Sequence, residues 1–425
     1  LKPFTFNSKQ FKTKNFKGVV SLLAGNTISK IILTLGGIFL AKLYGPENYG
    51  VYSVFLSYIM ILPTLSMLQL DNIMILQRGT KEIKNMFNGI ILISGIISLI
   101  ISLIVIILKY YNILNVELPI YILMLCSVGG ILTSWNLTQN SLFTKYKFFK
   151  QISTAFILAS ACSVLFQSIF YLLGWKENGL IFGWIVGLLS SFIYNLNVTK
   201  NRWKKVDFKE FKNAVYSHKK ILTFHYPSVA INTIANNILP LLILSYFTKL
   251  DVGVYLLAFK IISTPLLLLA TSISKVYFQK SVTLFHHNKK ALRSLTYRVA
   301  GTSFLIITAY VLLLNTIGIF ILEQFFGKAE WVGLREMLLI LSLWIIARSA
   351  INPIATLMVT INRNEYSMIF NIYLLIVNVI AILVGAHFNS FLYCIYIFVF
   401  FSSLGYFIQL GVLMWDLNKI VKNEA

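Results

Sequence analysis

Charge is what this sequence has least of. Only 12% of its 425 residues are charged, and acids are the scarcer sign, 14 Asp+Glu against 37 Lys+Arg. An ordinary soluble domain carries about 25% charge, and a water-facing surface on a chain of this length needs more polar cover than these residues supply. A water-soluble body is excluded. Cysteine is nearly absent: Cys126, Cys162 and Cys394 sit singly in apolar runs, without the spacing of a metal or redox site. They read as small core hydrophobes, and no metal or cofactor is expected. No GxxxxGK[ST] loop is present, so direct ATP hydrolysis lacks its motif. Large polar loops are missing too, and with them the paired carboxylates that glycosidic-bond chemistry requires. His225, His286 and His287 fall near one set of polar boundaries and His387 stands alone at the other.

Long apolar runs fill the space that charge leaves. Hydrophobic residues make up 57% of the chain. A bilayer core of about 30 Å takes roughly 20 apolar helical residues. On that length twelve spans are predicted, at 19–44, 49–77, 88–109, 119–143, 152–174, 180–199, 221–247, 252–279, 296–322, 334–361, 367–386 and 390–414. The runs are continuous instead of alternating with period two, which argues against a β-barrel. The first run exceeds the roughly 7–15 apolar residues of a secretory signal, so it is expected to span.

Lys and Arg gather on one side of these spans. They precede span 1 and recur at Arg78, Lys81 and Lys84, at Lys145, Lys147 and Lys150, from Lys200 to Lys220, and at Lys289, Lys290, Arg293 and Arg298. The positive-inside rule makes these loops and both termini cytoplasmic. It absorbs most of the net charge of +23, leaving no call for a nucleic-acid partner. Lys109, Lys176, Lys249, Lys328 and Arg335 are scattered over the other side.

The polar stretch Thr199 to Lys220 divides the chain into an N-terminal six-helix bundle at 1–199, a basic linker at 200–220 and a C-terminal six-helix bundle at 221–425. Trp203, Val206, Phe208, Phe211 and Val215 within it fit an amphipathic helix on the anionic inner leaflet; a solvated basic linker is the other reading. The two bundles open alike. Asn26-Thr27-Ile28 leads to Gly50-Val51-Tyr52 and Pro63, and Asn232-Thr233-Ile234 leads to Gly253-Val254-Tyr255 and Pro265. An even number of spans separates the copies, which implies a pseudo-two-fold axis along the membrane normal. Pro63 and Pro265 are hinge candidates or fixed packing kinks, and Pro240 and Pro353 raise the same alternative.

The turn LAKLYGPENYGVYSVF, Leu40 to Phe55, resembles the first hairpin of polysaccharide and O-antigen flippases of the Wzx type, in the multidrug/oligosaccharidyl-lipid/polysaccharide (MOP) exporter superfamily. Span number, two six-span halves and the basic middle loop agree with it along nearly the whole chain. The resemblance implies an all-α polytopic transporter in the bacterial cytoplasmic membrane. It would turn an undecaprenyl-pyrophosphate-linked oligosaccharide from the inner to the outer leaflet by alternating access, with polysaccharide polymerase and chain-length machinery as candidate partners. O antigen, capsule and related glycans all fit.

Ionisable residues at membrane depth are functional candidates in their own right. Lys30 lies about 16 Å into span 1 at 1.5 Å per residue, and Asn26, Lys30, Thr34 and Gly37 share a face. Ser228, Asn232, Asn236 and Pro240 repeat that stripe in span 7, so paired halves would turn both stripes to one cleft. Arg348 is mid-span and Lys260 lies in the outer half of span 8. Lys30, Lys260, Arg348, Asn26, Asn232 and Asn236 are the candidate substrate-binding residues, with the cations suited to pyrophosphate and acidic sugars. The competing reading pairs the cations with Asp71, which is otherwise an ion-coupling candidate, a salt bridge or an interface residue. Trp135, Asn136, Gln139, Asn140, Asn371 and Asn378 are donors for sugar hydroxyls or interhelical hydrogen bonds. A multidrug or other lipid exporter is the alternative within transport, though cationic drugs call for interior acids. A membrane-embedded polymerase is the alternative from another class.

Overall fold

In a computed structural model, the structure describes residues 8–112, 118–200, 205–327 and 330–422, with the backbone alone at 8–17, 19, 271–272 and 364. Trp203 and Lys328 lie outside the described residues. Helices, and no strand among those residues, form the chain. They are α1 (Ser8–Met67), α2 (Leu70–Leu76), α3 (Thr80–Tyr110), α4 (Ile120–Lys145), α5 (Phe149–Leu172), α6 (Gly179–Thr199), α7 (Phe208–Ser217), α8 (Tyr226–Asn237), α9 (Leu239–Tyr246), α10 (Lys249–His287), α11 (Lys289–Leu313), α12 (Ile319–Phe326), α13 (Leu334–Ile351), α14 (Leu357–Thr360), α15 (Asn364–His387) and α16 (Phe391–Lys422). Single π turns precede α8 and α12, and a short 3₁₀ turn follows α13.

Ten of these helical stretches are long and apolar enough to cross a membrane, eleven if the bent pair α8–α9 is one crossing. The first is 48 residues, Val20–Met67. At 1.5 Å per residue it would run about 72 Å, more than twice a bilayer core. It is divided at Gly45, whose φ of 75° is left-handed backbone that glycine adopts without a Cβ clash. Each piece still exceeds the roughly 20 residues a crossing needs, so this stretch is long enough for two.

Several predicted spans are not single rods. Span 49–77 breaks at Leu68 and Gln69, both at positive φ, and restarts as α2, so Asp71 sits on a separate short helix. Span 221–247 bends by 46° between α8 and α9, just ahead of Pro240. Span 334–361 breaks at Asn352–Pro353. The hinge candidates fare differently: α1 and α10 run through Pro63 and Pro265 without interruption. Two of the three breaks fall at the other two prolines, where Pro occupies the first turn of a new helix and its missing N–H costs nothing.

The chain divides into two compact units, Leu1–Leu43 with Phe55–Ala230, and Tyr44–Val54 with Ile231–Ala425. In the first unit small residues set the seams, as lipid-embedded packing requires. A Cβ on Gly25 or Gly36 of α1 would strike Ser153 or Val164 of α5, and one on Gly183 or Gly187 of α6 would strike Gln167 or Ser163 of α5. Gln167 Nε2 donates to Leu180 O at 2.7 Å across that second seam. Leu99, Leu103 and Ile104 on the outer face of α3 are more than half or about half exposed, the face left to lipid.

The described part of the basic linker packs its apolar side on this unit. Asp207 caps α7 by accepting from Lys209 N and Glu210 N at 3.1 Å. Phe211 is 7% exposed and joins a core of Leu70, Ile73, Phe87 and Ile90, with Val206 and Val215 packed alongside. Asn85 of α3 clamps the entry, Nδ2 donating to Asp207 O at 2.9 Å and Oδ1 accepting from Asp207 N at 2.8 Å. Among the described residues of the predicted apolar stripe, Phe208 stays exposed. Asn85→Ala removes two backbone hydrogen bonds, a cost of about 1–3 kcal/mol. Hydrogen exchange should then quicken in 205–217 while α4 and α5 stay protected.

In the second unit, Tyr44–Val54 packs on the start of α10 through the repeated glycines. A Cβ on Gly50 would overlap Lys249 O, and one on Gly253 would overlap Pro46 O; each also lies 3.1 Å from the other glycine's backbone N. Such reciprocity is what a two-fold relation between the repeat copies produces. Thr248 and Asp251 cap α10 by mutual hydrogen bonds, Thr248 N donating to Asp251 Oδ2 at 3.0 Å and Asp251 N to Thr248 Oγ1 at 3.2 Å. The last helix outruns its predicted limit of 414 and carries Asp416, 5% exposed, into the unit. Tyr366 OH donates to Asp416 Oδ2 at 2.7 Å and Arg363 Nε approaches it at 3.6 Å. A second buried acid was not apparent in the sequence.

Candidate functional site

Arg348 stands at the centre of the polar interior of the second unit. It projects from α13 one turn after Trp344, and its guanidinium lies 4.9 Å from the Trp344 ring. Trp344 is wedged against Phe259 of α10 and Phe398 of α16, at 5.4 and 6.0 Å between ring centres. That wall fixes the cation and supplies a stacking energy of about 2 kcal/mol where water is excluded.

A ladder of asparagines meets Arg348 from α8. Arg348 Nη2 makes a long contact of 3.5 Å with Asn236 Oδ1. Asn236 Nδ2 donates to Asn232 O at 2.8 Å, and Asn232 Nδ2 to Asn371 Oδ1 of α15 at 2.9 Å. The i, i+4 spacing that aligned Asn232 and Asn236 in the sequence puts both on the side of α8 facing these partners. Asn371 and Asn378 are buried, and Asn378 Nδ2 ties α15 to α8 by donating to Ala235 O at 2.7 Å. These two therefore act as interhelical donors and acceptors. Asn232 and Asn236 remain exposed at the open edge of the ladder.

No carboxylate lies within ion-pair distance of Arg348 among the described residues, and its Nε is buried without a hydrogen-bond partner. A guanidinium carries five N–H donors; here one long bond to a neutral amide is what the protein gives it. A half-buried guanidinium with donors to spare can take an oxyanion with two adjacent oxygens by a forked pair of hydrogen bonds.

Lys260 takes another partner. Its Nζ is 3.3 Å from Tyr49 OH and 5.9 Å from the centre of that ring, with Tyr49 fully buried in the Tyr44–Val54 segment. Lys260 makes no ion pair among the described residues, so the cation is held by a phenol and a π face.

In the first unit, Asn26 and Lys30 are half-buried on α1, and Thr34 Oγ1 donates to Lys30 O at 2.8 Å. Their stripe lies between the glycine face set on α5 and the exposed apolar face of Ile28, Ile31, Leu35 and Phe39. Asp71 forms no ion pair among the described residues. Its Oδ2 instead accepts from Ser141 Oγ of α4 at 3.0 Å, so the salt-bridge reading is set aside. Trp135 Nε1 donates to Ile91 O at 3.1 Å and Asn136 Nδ2 to Leu188 O at 3.1 Å, both interhelical. Gln139 is fully buried with neither amide atom paired, and Asn140 Oδ1 is likewise buried and unpaired. The prolines Pro63 and Pro265 enter neither polar cluster.

Among the described residues no three His, Cys, Asp or Glu groups stand close enough to hold a metal ion, and His225, His286, His287 and His387 are all exposed.

A family model described as polysaccharide biosynthesis protein matches residues 39–334. Comparison by sequence with curated proteins yields no match. Among solved structures, the chain is similar to a multidrug resistance MATE family transporter of the MOP superfamily in its inward-facing conformation, with a TM-score of 0.61, 13% identity and 95% of each chain covered. It is similar to a MATE protein in complex with MaL6, with a TM-score of 0.60, 16% identity and coverage of 96% and 97%. A MOP superfamily transporter from Pyrococcus furiosus, described by a reverse polarity of its binding pocket that suggests a different function, matches with a TM-score of 0.53, 14% identity and 96% of each chain. These likenesses are of fold.

Proposed function

This chain belongs to the polysaccharide biosynthesis protein family, as a multi-pass membrane protein with the fold of MOP-superfamily transporters, and from that premise we propose that it is a flippase for a lipid-linked oligosaccharide. The cargo is a polyprenyl-pyrophosphate-linked repeat unit, undecaprenyl in a bacterial cytoplasmic membrane, carried outward for the assembly of a surface glycan. Both termini face the cytoplasm in this reading, as the placement of Lys and Arg requires.

The observation that carries it is Arg348, a cation set in an aromatic wall without a carboxylate, beside a ladder of amides whose edge is open. Pyrophosphate answers the guanidinium, and sugar hydroxyls answer Asn232 and Asn236. Lys30 on the first unit is a further candidate cation for phosphate, and the lipid tail stays in the bilayer, which spares charged groups from hydrocarbon. Asp71, held by a serine hydroxyl instead of a cation, is the proposed ion-coupling acid. Pro240 and Pro353 replace Pro63 and Pro265 as the points where span geometry changes.

An exporter of cationic drugs would place acids where Arg348 stands. A polymerase would need a catalytic cluster at one membrane face. The test is a vesicle assay with a lipid-pyrophosphate-linked oligosaccharide whose glycan is labelled, scoring the fraction that becomes accessible to an enzyme added outside. Transfer of intact substrate supports the flippase. Release of the glycan or chain growth would return the polymerase, and export of a cationic dye without flipping would return the drug exporter.

A further inference from the structure

The end of the second unit opposite the basic α10–α11 junction carries a pocket that the Arg348 site does not use. A cavity of about 560 Å³ opens among three loops, the α9–α10 turn, the stretch before α13 and the α15–α16 turn. A smaller cavity of about 190 Å³ beneath α12 abuts it, and the two share Val332 and Gly333. The larger one falls within the roughly 300–1,000 Å³ of small-molecule sites.

Its walls combine aromatic faces with polar groups that the protein does not use. Phe247 and Phe391 stand 5.7 Å apart, and Tyr246 is exposed at the rim. Trp331 lines the abutting smaller cavity; it is 3% exposed, flanked by Phe326 at 5.2 Å and Tyr49 at 6.1 Å, and its indole Nε1 is buried without a partner. An orphaned buried donor costs free energy until something accepts from it. Glu336 and Asn389 line the larger cavity, and neither side chain makes a hydrogen bond or ion pair among the described residues. Asp251 gives Oδ2 to Thr248, leaving Oδ1 toward other donors. Arg335, the cation at the smaller cavity, is engaged by Glu323 at 3.6 Å.

The charge is therefore opposite to that at Arg348. Carboxylates repel phosphate, and carboxylates and an amide oxygen accept from hydroxyls. Aromatic faces carry negative potential and suit the weakly positive C–H faces of pyranose rings. We propose that this pocket is a saccharide site, taking the glycan and not the pyrophosphate of the cargo at the outer end of the second unit. The proposal rests on the flippase reading, and it assigns the cargo two separate holds, phosphate at Arg348 and sugar here.

The probe is the oligosaccharide repeat released by partial hydrolysis from the surface polysaccharide of the cells that make this chain, added to the full chain in lipid nanodiscs with nitrogen-15 at the indoles. The Trp331 indole N–H signal, assigned by its loss in Trp331→Phe, should shift on titration and saturate. Glu336→Gln and Asn389→Ala should each weaken binding about threefold to tenfold, one hydrogen bond's share. Should Trp331→Phe not fold, the two exposed-site variants read the same affinity by saturation-transfer difference. A still Trp331 signal, or affinity unchanged in both variants, while vesicle flipping proceeds, overturns the saccharide pocket and leaves the flippase standing. Absence of both binding and flipping overturns the two together.

Discussion

Arg348→Ala should cut the rate of oligosaccharide flipping by about tenfold to a hundredfold at normal folding. The estimate follows from the chemistry of the lost contact. A charge-assisted hydrogen-bond pair contributes about 1.5–3 kcal/mol, and 1.4 kcal/mol is a factor of ten. Arg348 has no competing carboxylate among the described residues, so little of that energy is tied up within the protein. Arg348→Lys keeps a point charge and loses the planar fork, together with its stacking on Trp344; its flipping should fall between the two. Folding is the control, since removing a cation that lacks an ionic partner strands no buried acid. Near-native thermal stability with lost flipping puts Arg348 on the transport path, and undiminished flipping removes it while leaving the function intact. Lys30→Ala in the same assay asks whether the first unit shares the phosphate.

How much of this could be read in the sequence follows from what an apolar background makes visible. Arg348, Asn232 and Asn236 stand out because polar residues are rare in spans, and i, i+4 spacing aligned the asparagines. Their partners were less legible: nothing marks Asn371 as the neighbour of Asn232, 139 positions away on another helix, or Phe259 and Phe398 as the wall behind Trp344. Asp416 was missed because the apolar run fades before it, although the helix continues to Lys422. The break at Leu68–Gln69 lacks the Gly or Pro that usually announces one. Pro63 and Pro265, the hinge or kink candidates, leave their helices continuous, as a helix can carry a proline when neighbouring groups satisfy the freed carbonyl. The linker's packing was hidden for another reason. Amphipathic spacing from Val206 to Val215 reports an apolar face without naming what covers it, and core and leaflet are equally apolar. The outer pocket was invisible, being assembled from three loops separated along the chain.

The glycine contact of the repeat permits a prediction in which the sign itself is informative. Ala is favoured over Gly in a helix interior by about 1 kcal/mol, so propensity alone predicts that Gly50→Ala and Gly253→Ala stabilise the protein. Packing predicts the reverse. Each new Cβ would overlap a backbone carbonyl, Lys249 O for Gly50 and Pro46 O for Gly253. Backbone cannot turn aside as a side chain can, and the helices must separate. Overpacking of this kind costs about 1–3 kcal/mol, with the upper end expected here, and the larger Gly253→Val should go beyond it. Because both residues sit at one crossing, the two costs are not independent. Once either Cβ has pushed Tyr44–Val54 from the start of α10, the second meets an already widened gap. The double variant should therefore lose less stability than the two single losses added, with a coupling of about 1 kcal/mol or more. Thermal unfolding of the wild type, both single variants and the double variant in detergent measures all four corners of that cycle. Additive losses would mean that the glycines act separately, and the two-fold relation read from their contact would then have no energetic content.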